Sequence, residues 1–104
     1  MSKSHHQYNI KLEEAMTMDL AQSIRVWDLQ GLHVQAEDIP ENANVQTTFV
    51  MKFPEGHLHL GVEWTVEGDL MTHMDTVAEV STLEELKDNF PKLFELEGSL
   101  YAFA

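Results

Sequence analysis

The sequence predicts an α+β fold in which helices from both ends of the chain cover an antiparallel sheet, and three observations lead to this prediction. The length of 104 residues is usual for one domain, so we expect a single acidic domain over residues 1–104. Residues 45–80 alternate between apolar and polar side chains, as strands do. After residue 80 the apolar residues follow helical spacing, and the absence of cysteine leaves the core to hold the fold without disulfides.

The segment before the loop at residues 37–44 fits two interpretations. Helical spacing and good helix formers predict a helix over about 9–22, whereas alternation of the same apolar residues fits strands. We expect the helix, followed by a hairpin over 23–37 that turns at Gln30 and Gly31. The helical pattern comprises Leu12, Ala15, Met16 and Leu20, and the strand patterns comprise Tyr8, Ile10 and Leu12 and then Met16, Met18 and Leu20.

Residues 45–80 predict a three-stranded meander. A two-residue turn at Glu55 and Gly56 sets Phe53 opposite Leu58. A three-residue loop over 67–69 then continues the same face into the third strand. The predicted buried set is Val45, Thr47, Phe49, Met51, Phe53, Leu58, Leu60, Val62, Trp64, Val66, Leu70, Met74, Ala78 and Val80.

Two helices are predicted after the third strand. Ser81 or Thr82 can cap a helix over 82–89, because an acid follows at the spacing of a capping box. Pro91 cannot continue that helix but is favoured at the start of another, so we expect a second helix over 91–103.

The charge of the chain is its most distinctive property. It has 18 acidic residues against 6 Lys plus Arg, a formal net charge of −12, and residues 41–104 carry 12 of the acids and 3 of the bases. Such a field repels phosphate backbones and anionic lipid but attracts basic protein surfaces. We therefore expect a basic protein or nucleoprotein complex as partner, with no direct binding of nucleic acid and no membrane; ordinary solubility is the alternative explanation.

The sequence contains no recognisable catalytic motif. A Gly-rich phosphate loop, a zinc ribbon, a His-Glu-x-x-His helix and a nucleophile elbow are all missing, and there is no thiol. We therefore predict that the protein is not an enzyme and uses no cofactor. The N-terminal residues 1–7 are polar and are predicted to be disordered; without a secretory signal or a long apolar stretch, the expected location is cytoplasmic.

Histidines on the second predicted strand suggest a possible metal site. His57 and His59 are two residues apart and therefore point the same way. The predicted register sets Glu79 opposite His57 and Glu63 opposite His73. Imidazoles beside carboxylates can bind a metal, which makes His57, His59 and Glu79 ligand candidates for a small metal-binding protein. A solvated polar strand face is the alternative.

The carboxylates of the second half are candidates for one acidic partner-binding surface. Such a surface could occupy the nucleic-acid groove of a basic enzyme by replacing phosphate charges. The protein would then be an inhibitor, similar in size and charge to viral anti-defence proteins of phages and to immunity proteins of toxic nucleases. The candidates are Glu63, Glu67, Asp75 and Glu79 on the sheet and Glu84, Glu85 and Asp88 on the first helix after it.

The order of the predicted elements supplies another hypothesis. An extended N-terminal segment, the strands over 45–53, 58–66 and 70–80, and a helical tail containing the run Phe-Pro-Lys-Leu-Phe at 90–94 resemble SecB-type export chaperones. Those proteins are acidic tetramers that bind unfolded chains. The resemblance implies an oligomeric chaperone or scaffold, and it requires residues 9–22 to be extended rather than helical.

Overall fold

Six antiparallel strands form one sheet in the computed structural model, which describes residues 8–19, 23–30 and 39–103. The strands are β1 (Tyr8–Lys11), β2 (Ile24–Gln30), β3 (Ala43–Lys52), β4 (Leu58–Val66), β5 (His73–Val80) and β6 (Glu97–Phe103). The helices are α1 (Leu12–Thr17) and α2 (Leu83–Asn89), with a 3-10 helix at Pro91–Glu95. The strand order is β1-β6-β2-β3-β4-β5, so the predicted α+β class is confirmed.

All three helical segments pack on the same face of the sheet. Their buried side chains join those of the central strands in a single core cluster, where each large apolar residue contributes about 1.5–3 kcal/mol. Trp27 at the centre is fully buried, and its Nε1 donates a hydrogen bond to the Ile10 carbonyl at 2.9 Å. The cluster comprises Leu12, Ala15, Met16, Trp27, Val50, Leu58, Leu60, Val80, Leu86, Leu93 and Leu100.

The predicted helix over about 9–22 is a strand followed by a shorter helix. β1 pairs with β6, with Tyr8 opposite Leu100, and α1 begins at Leu12. Both interpretations of the sequence were therefore partly right, because alternation ends where helical spacing begins. The helix buries Leu12, Ala15 and Met16.

The predicted helix over 91–103 is wrong beyond its first turn. The 3-10 helix ends at Glu95, and β6 then inserts between β1 and β2. Gly98 and Leu100 are buried two residues apart, which is strand spacing. A glycine weakens a helix, and here it also allows close approach of Trp27, whose ring a side chain at position 98 would meet.

The predicted meander is present, but its register differs by one residue in β3. The turn between β3 and β4 has three residues, since the Phe53 amide donates to the His57 carbonyl at 3.1 Å and Gly56 adopts a φ of +113°. Lys52 therefore lies opposite Leu58. Because side chains alternate, the slip turns Thr47, Phe49 and Met51 to the other face and buries Thr48 and Val50 instead. An irregularity between Val45 and Thr47 leaves Val45 opposite Trp64, on the face where it was predicted.

The turn between β4 and β5 is also longer than predicted. β5 begins at His73, which lies opposite Trp64. Leu70, predicted to be buried, is fully exposed, and Met74 is 62% exposed. An irregularity at Leu60 and Gly61 shifts the register again along this pair of strands.

Of the remaining sequence predictions, some are confirmed and others fall on residues that the structure does not describe. α2 confirms the predicted helix over 82–89. Of the predicted hairpin over 23–37, the first strand is β2, which pairs with β3 and β6; its turn and second strand lie outside the described residues, as does the predicted disorder of 1–7. None of the described helices has the length and apolar character needed to cross a membrane.

Candidate functional site

The predicted acidic residues lie on two sides of the molecule rather than on one surface. We call the face of the sheet that faces away from α1 and α2 the open sheet face. Glu63 of β4 lies on it and is paired with Met74 of β5. Glu79 of β5 also lies on it and is paired with His59 of β4. The other predicted carboxylates lie elsewhere: Asp75 on the helix side of the sheet, Glu67 exposed in the turn after β4, and Glu84, Glu85 and Asp88 on α2.

A shallow depression of about 270 Å³ occupies the centre of the open sheet face. β2 and β3 each contribute three alternate side chains to it, β4 contributes one glutamate, and β5 adds one methionine at the edge. Asp28 on β2 and Glu63 on β4 stand on either side of β3. The lining residues are Val26, Asp28, Gln30, Thr47, Phe49, Met51, Glu63 and Met74.

A glycine sets the floor of this depression. Phe49 pairs with Gly61 across β3 and β4, and a Cβ at position 61 would lie 2.5 Å from Cζ of the Phe49 ring. The aromatic ring therefore rests directly on the backbone of β4. This close contact keeps Phe49 low on the sheet, so that the carboxylates on both sides stand above an apolar floor.

The electrostatics of the depression are dominated by its acids. Burial, and then repulsion from Glu63, raise the pKa of the Asp28 carboxyl above its ordinary value. The described residues that line the depression include no lysine or arginine. Asp28 was missed by the sequence analysis, although the alternation of Val26, Asp28 and Gln30 within β2 would have placed it on this face.

A second acidic region lies on the helix side. A depression of about 230 Å³ joins Glu13 of α1 to Glu84 and Asp88 of α2, with Leu83, Lys87 and Phe94 as its other lining residues. Glu85 does not line this depression but forms hydrogen bonds at the start of α2. Thr82, the N-cap of α2, accepts a hydrogen bond from the Glu85 amide through its Oγ1 at 3.1 Å. The Glu85 carboxylate accepts one from the amide of the preceding residue, Ser81, at 3.3 Å, which is a variant of the capping box.

Three of the basic residues bind backbone carbonyls, whereas Lys87 lies among the acids of the helix-side depression, with its Nζ 5.7 Å from the centroid of the Phe94 ring. Arg25 and Lys52 both donate to the Met16 carbonyl, at 2.9 and 3.0 Å, and Lys11 donates to the Glu95 carbonyl at 2.7 Å. Burial, and then the nearby Arg25 guanidinium, lower the pKa of Lys52. Within the described residues, the three ion pairs all join a histidine to a carboxylate.

The predicted metal candidates lie at one end of the open sheet face. Register places Glu79 opposite His59 instead of His57, with His59 Nε2 3.3 Å from the Glu79 carboxylate. His57 Nδ1 lies 2.7 Å from the Glu55 carboxylate, and its ring stacks on Phe53 with centroids 4.5 Å apart. No group of three or more residues that could hold a metal occurs in the part of the chain that the structure describes.

A polar network on the helix side explains the position of Asp75. Trp64 Nε1 donates to Asp75 Oδ2 at 2.6 Å, and the Trp64 ring stacks on His73. His73 Nε2 lies 3.0 Å from Asp69 Oδ2. This hydrogen bond, and then that from the Met71 amide, lower the pKa of Asp69. The network ties the turn after β4 to β5.

Comparisons with protein-family models, with curated proteins and with solved structures gave no match. The function is therefore inferred from the surfaces of the chain itself.

Proposed function

We propose that the protein is a non-enzymatic binding protein whose acidic surfaces engage a basic, nucleic-acid-handling protein or nucleoprotein complex and inhibit it. The inhibitor would be of the anti-defence or immunity type and would act on its partner in the cytoplasm.

One observation carries the proposal: within the described residues the exposed acids outnumber the exposed bases, and three of the five lysine and arginine side chains there are bound to backbone carbonyls. Arg25 and Lys52 hold the end of α1, and Lys11 holds the end of the 3-10 helix. The acids of α2 and of the open sheet face form no ion pair with lysine or arginine of the described chain. An internal network of salt bridges would have indicated charges used for stability, and that network is not found among the described residues.

Inhibition follows from charge replacement. A nucleic-acid groove is lined by lysine and arginine that normally neutralise phosphates. Carboxylates at comparable density satisfy those cations and release the same counterions, so that nucleic acid and the acidic protein compete for one site. The predicted absence of catalysis fits this role, because occupancy alone inhibits.

The test is capture from the native host at two ionic strengths, followed by identification of the retained proteins. At about 0.01 M salt the Debye length is about 30 Å, and at about 1 M it is about 3 Å. We expect a basic nucleic-acid enzyme to be retained at low salt and lost at high salt. Retention that does not depend on salt, or no retention at all, would contradict the proposal.

A matched pair of variants controls for the loss of a cap. Glu84→Gln with Asp88→Asn removes two exposed charges from α2 and should weaken capture at low salt. Glu85→Gln with Thr82→Ala removes one charge and the capping hydroxyl of α2. Unfolding measurements on both identify any loss of capture that arises from a destabilised α2.

Exposed apolar residues favour a second candidate, the oligomeric chaperone or scaffold. Leu70, Met71 and Met74 are all strongly exposed near the edge strand β5. The resemblance to SecB-type chaperones is weaker than the sequence suggested, because the expected helical tail ends in β6. Light scattering decides the matter: a tetramer that retains an unfolded chain would favour the chaperone, and a monomer that binds none would exclude it.

A further inference from the structure

We propose that the open sheet face is the docking surface for the partner, and that its central depression receives a lysine or arginine side chain from an extended partner segment with apolar neighbours. This inference rests on the proposed function and names the surface and the chemistry of the contact.

The size of the depression indicates what it can hold. Its volume is about 270 Å³ and it is wide open, whereas pockets for drug-sized ligands enclose about 300–1,000 Å³. A protein side chain lying along the sheet fits such a shallow site better than a small molecule. The open sheet face is one side of an antiparallel sheet, and an extended partner segment can lie along it.

Apolar side chains supply the contact area. Val26, Phe49 and Met51 are half-buried on the face, and Met74 is 62% exposed at its edge. The Phe49 ring is held flat on Gly61. Clustered apolar side chains that no described helix covers are typical of interaction surfaces, and methionines adapt to different partners.

Charge selects the occupant. A second copy of this chain would bring two pairs of Asp28 and Glu63 face to face, and like charges at an interface are repulsive. Burial, and then repulsion from Glu63, raise the pKa of Asp28, and a cation placed between Asp28 and Glu63 would relieve that repulsion. The stems of lysine and arginine are apolar, so each can lie along Phe49 while its charged end reaches a carboxylate.

The two acidic regions would then have different kinetic roles. Exposed charges such as Glu84 and Asp88 act at long range and alter the association rate, whereas charges desolvated in the contact alter the dissociation rate. Replacing Asp28 and Glu63 should therefore shorten the lifetime of the complex. Replacing Glu84 and Asp88 should slow its formation.

The experiment uses three synthetic heptapeptides titrated into the full, isotope-labelled chain and followed by NMR. The first alternates lysine with leucine, the second replaces lysine by glutamine, and the third replaces leucine by serine. We expect the lysine–leucine peptide to bind at least tenfold tighter than either control, with the largest shifts at Val26, Phe49 and Met74. Asp28→Asn with Glu63→Gln should remove that advantage, and Glu84→Gln with Asp88→Asn should change it less than threefold.

Other outcomes would overturn the inference. Equal binding of the lysine–leucine and lysine–serine peptides, lowered equally by both double variants, would mean that charge alone attracts cations and that no docking surface exists. Shifts confined to α1 and α2, or no binding, would also overturn it, and so would a dimer strengthened by Asp28→Asn with Glu63→Gln. Capture of a basic enzyme in the salt experiment would leave the proposed function standing in each of these cases.

Discussion

Two aspartates of this chain respond to their surroundings in opposite ways. Burial and the charge of Glu63 raise the pKa of Asp28, whereas hydrogen bonds from His73 and the Met71 amide lower that of Asp69. Asp69 is held in a turn by groups that favour its charge. The surroundings of Asp28 disfavour its charge, so the ionised Asp28 carboxylate lowers the stability of the folded state.

Asp28→Asn should therefore stabilise the protein at neutral pH. The native state binds the Asp28 proton more tightly than the unfolded chain does, so this group stabilises the fold below pH 3.8, its ordinary value, and loses that contribution as pH rises through the raised pKa. Urea unfolding across this pH range should show the variant more stable at the neutral end, with the difference shrinking toward acid.

The control for this pH series is Asp88→Asn, which removes an equal charge from the exposed side of α2. If both variants change the free energy of unfolding by the same amount at every pH, the effect comes from net charge and not from the site of Asp28.

Two glycine substitutions test how the sheet faces are packed. Gly61→Ala pushes against the end of the Phe49 ring, which can move on an open face, so a cost of about 1 kcal/mol is expected. Gly98→Ala meets the Trp27 ring in the core and the backbone oxygen of Asp28, and should cost about 3 kcal/mol. Urea unfolding of both variants measures the difference.

A double variant separates two effects of Gly61→Ala, which are the steric contact with the Phe49 ring and the lower backbone entropy loss of alanine. In a Phe49→Ala background, Gly61→Ala should become neutral or stabilising, because alanine loses less backbone entropy than glycine by about 0.5–1 kcal/mol. An unchanged cost in that background would show that Phe49 does not rest on Gly61.

Among the secondary-structure elements, α2 has an N-terminus that is capped by one side chain, that of Thr82. Thr82 Oγ1 accepts the Glu85 amide at 3.1 Å, although the sequence allowed either Ser81 or Thr82 as the cap. Thr82→Ala should destabilise the protein by about 1 kcal/mol, and Ser81→Ala by much less. Chemical denaturation of the two variants decides which hydroxyl caps; a larger loss for Ser81→Ala would contradict the assignment.

The elements that sequence reasoning located correctly are those with local signals. Alternation marked β3 to β5, and the hydroxyl before an acidic turn marked α2. β6 was misread because Leu93, Phe94, Leu100 and Tyr101 fit helical spacing as well as they fit a turn followed by a strand. Its place between β1 and β2 depends on contacts with the other end of the chain, which no local pattern records.

The candidate site was predictable only in part for the same reason. One additional residue in the turn after Phe53 exchanges the two faces of β3, so Phe49 and Met51 were assigned to the core. Glu63 was correctly expected on the exposed face, but its neighbour Asp28 comes from β2, whose pairing with β3 follows a long connection. The sequence therefore predicted that carboxylates form the candidate site, but it did not predict which carboxylates lie together on the open sheet face.

At the scale of the whole molecule, the chain divides its charge between two sides. One side carries the acids of α1 and α2 above the core, and the other carries Asp28 and Glu63 above an apolar floor. With a net charge of −12, both sides attract cations at long range, and both combine carboxylates with apolar side chains, which are Leu83 and Phe94 on the helix side and Val26, Phe49 and Met51 on the open sheet face. The proposed recognition of a basic partner would use both properties.

Competition between the protein and nucleic acid for the same partner can be measured by fluorescence anisotropy of a labelled duplex bound to the captured basic enzyme. Titration with the wild-type chain should release the duplex at equimolar ratio, and Asp28→Asn with Glu63→Gln should require at least tenfold more protein. If the anisotropy instead rises, because a ternary complex forms with the duplex still bound, competition for the groove is contradicted.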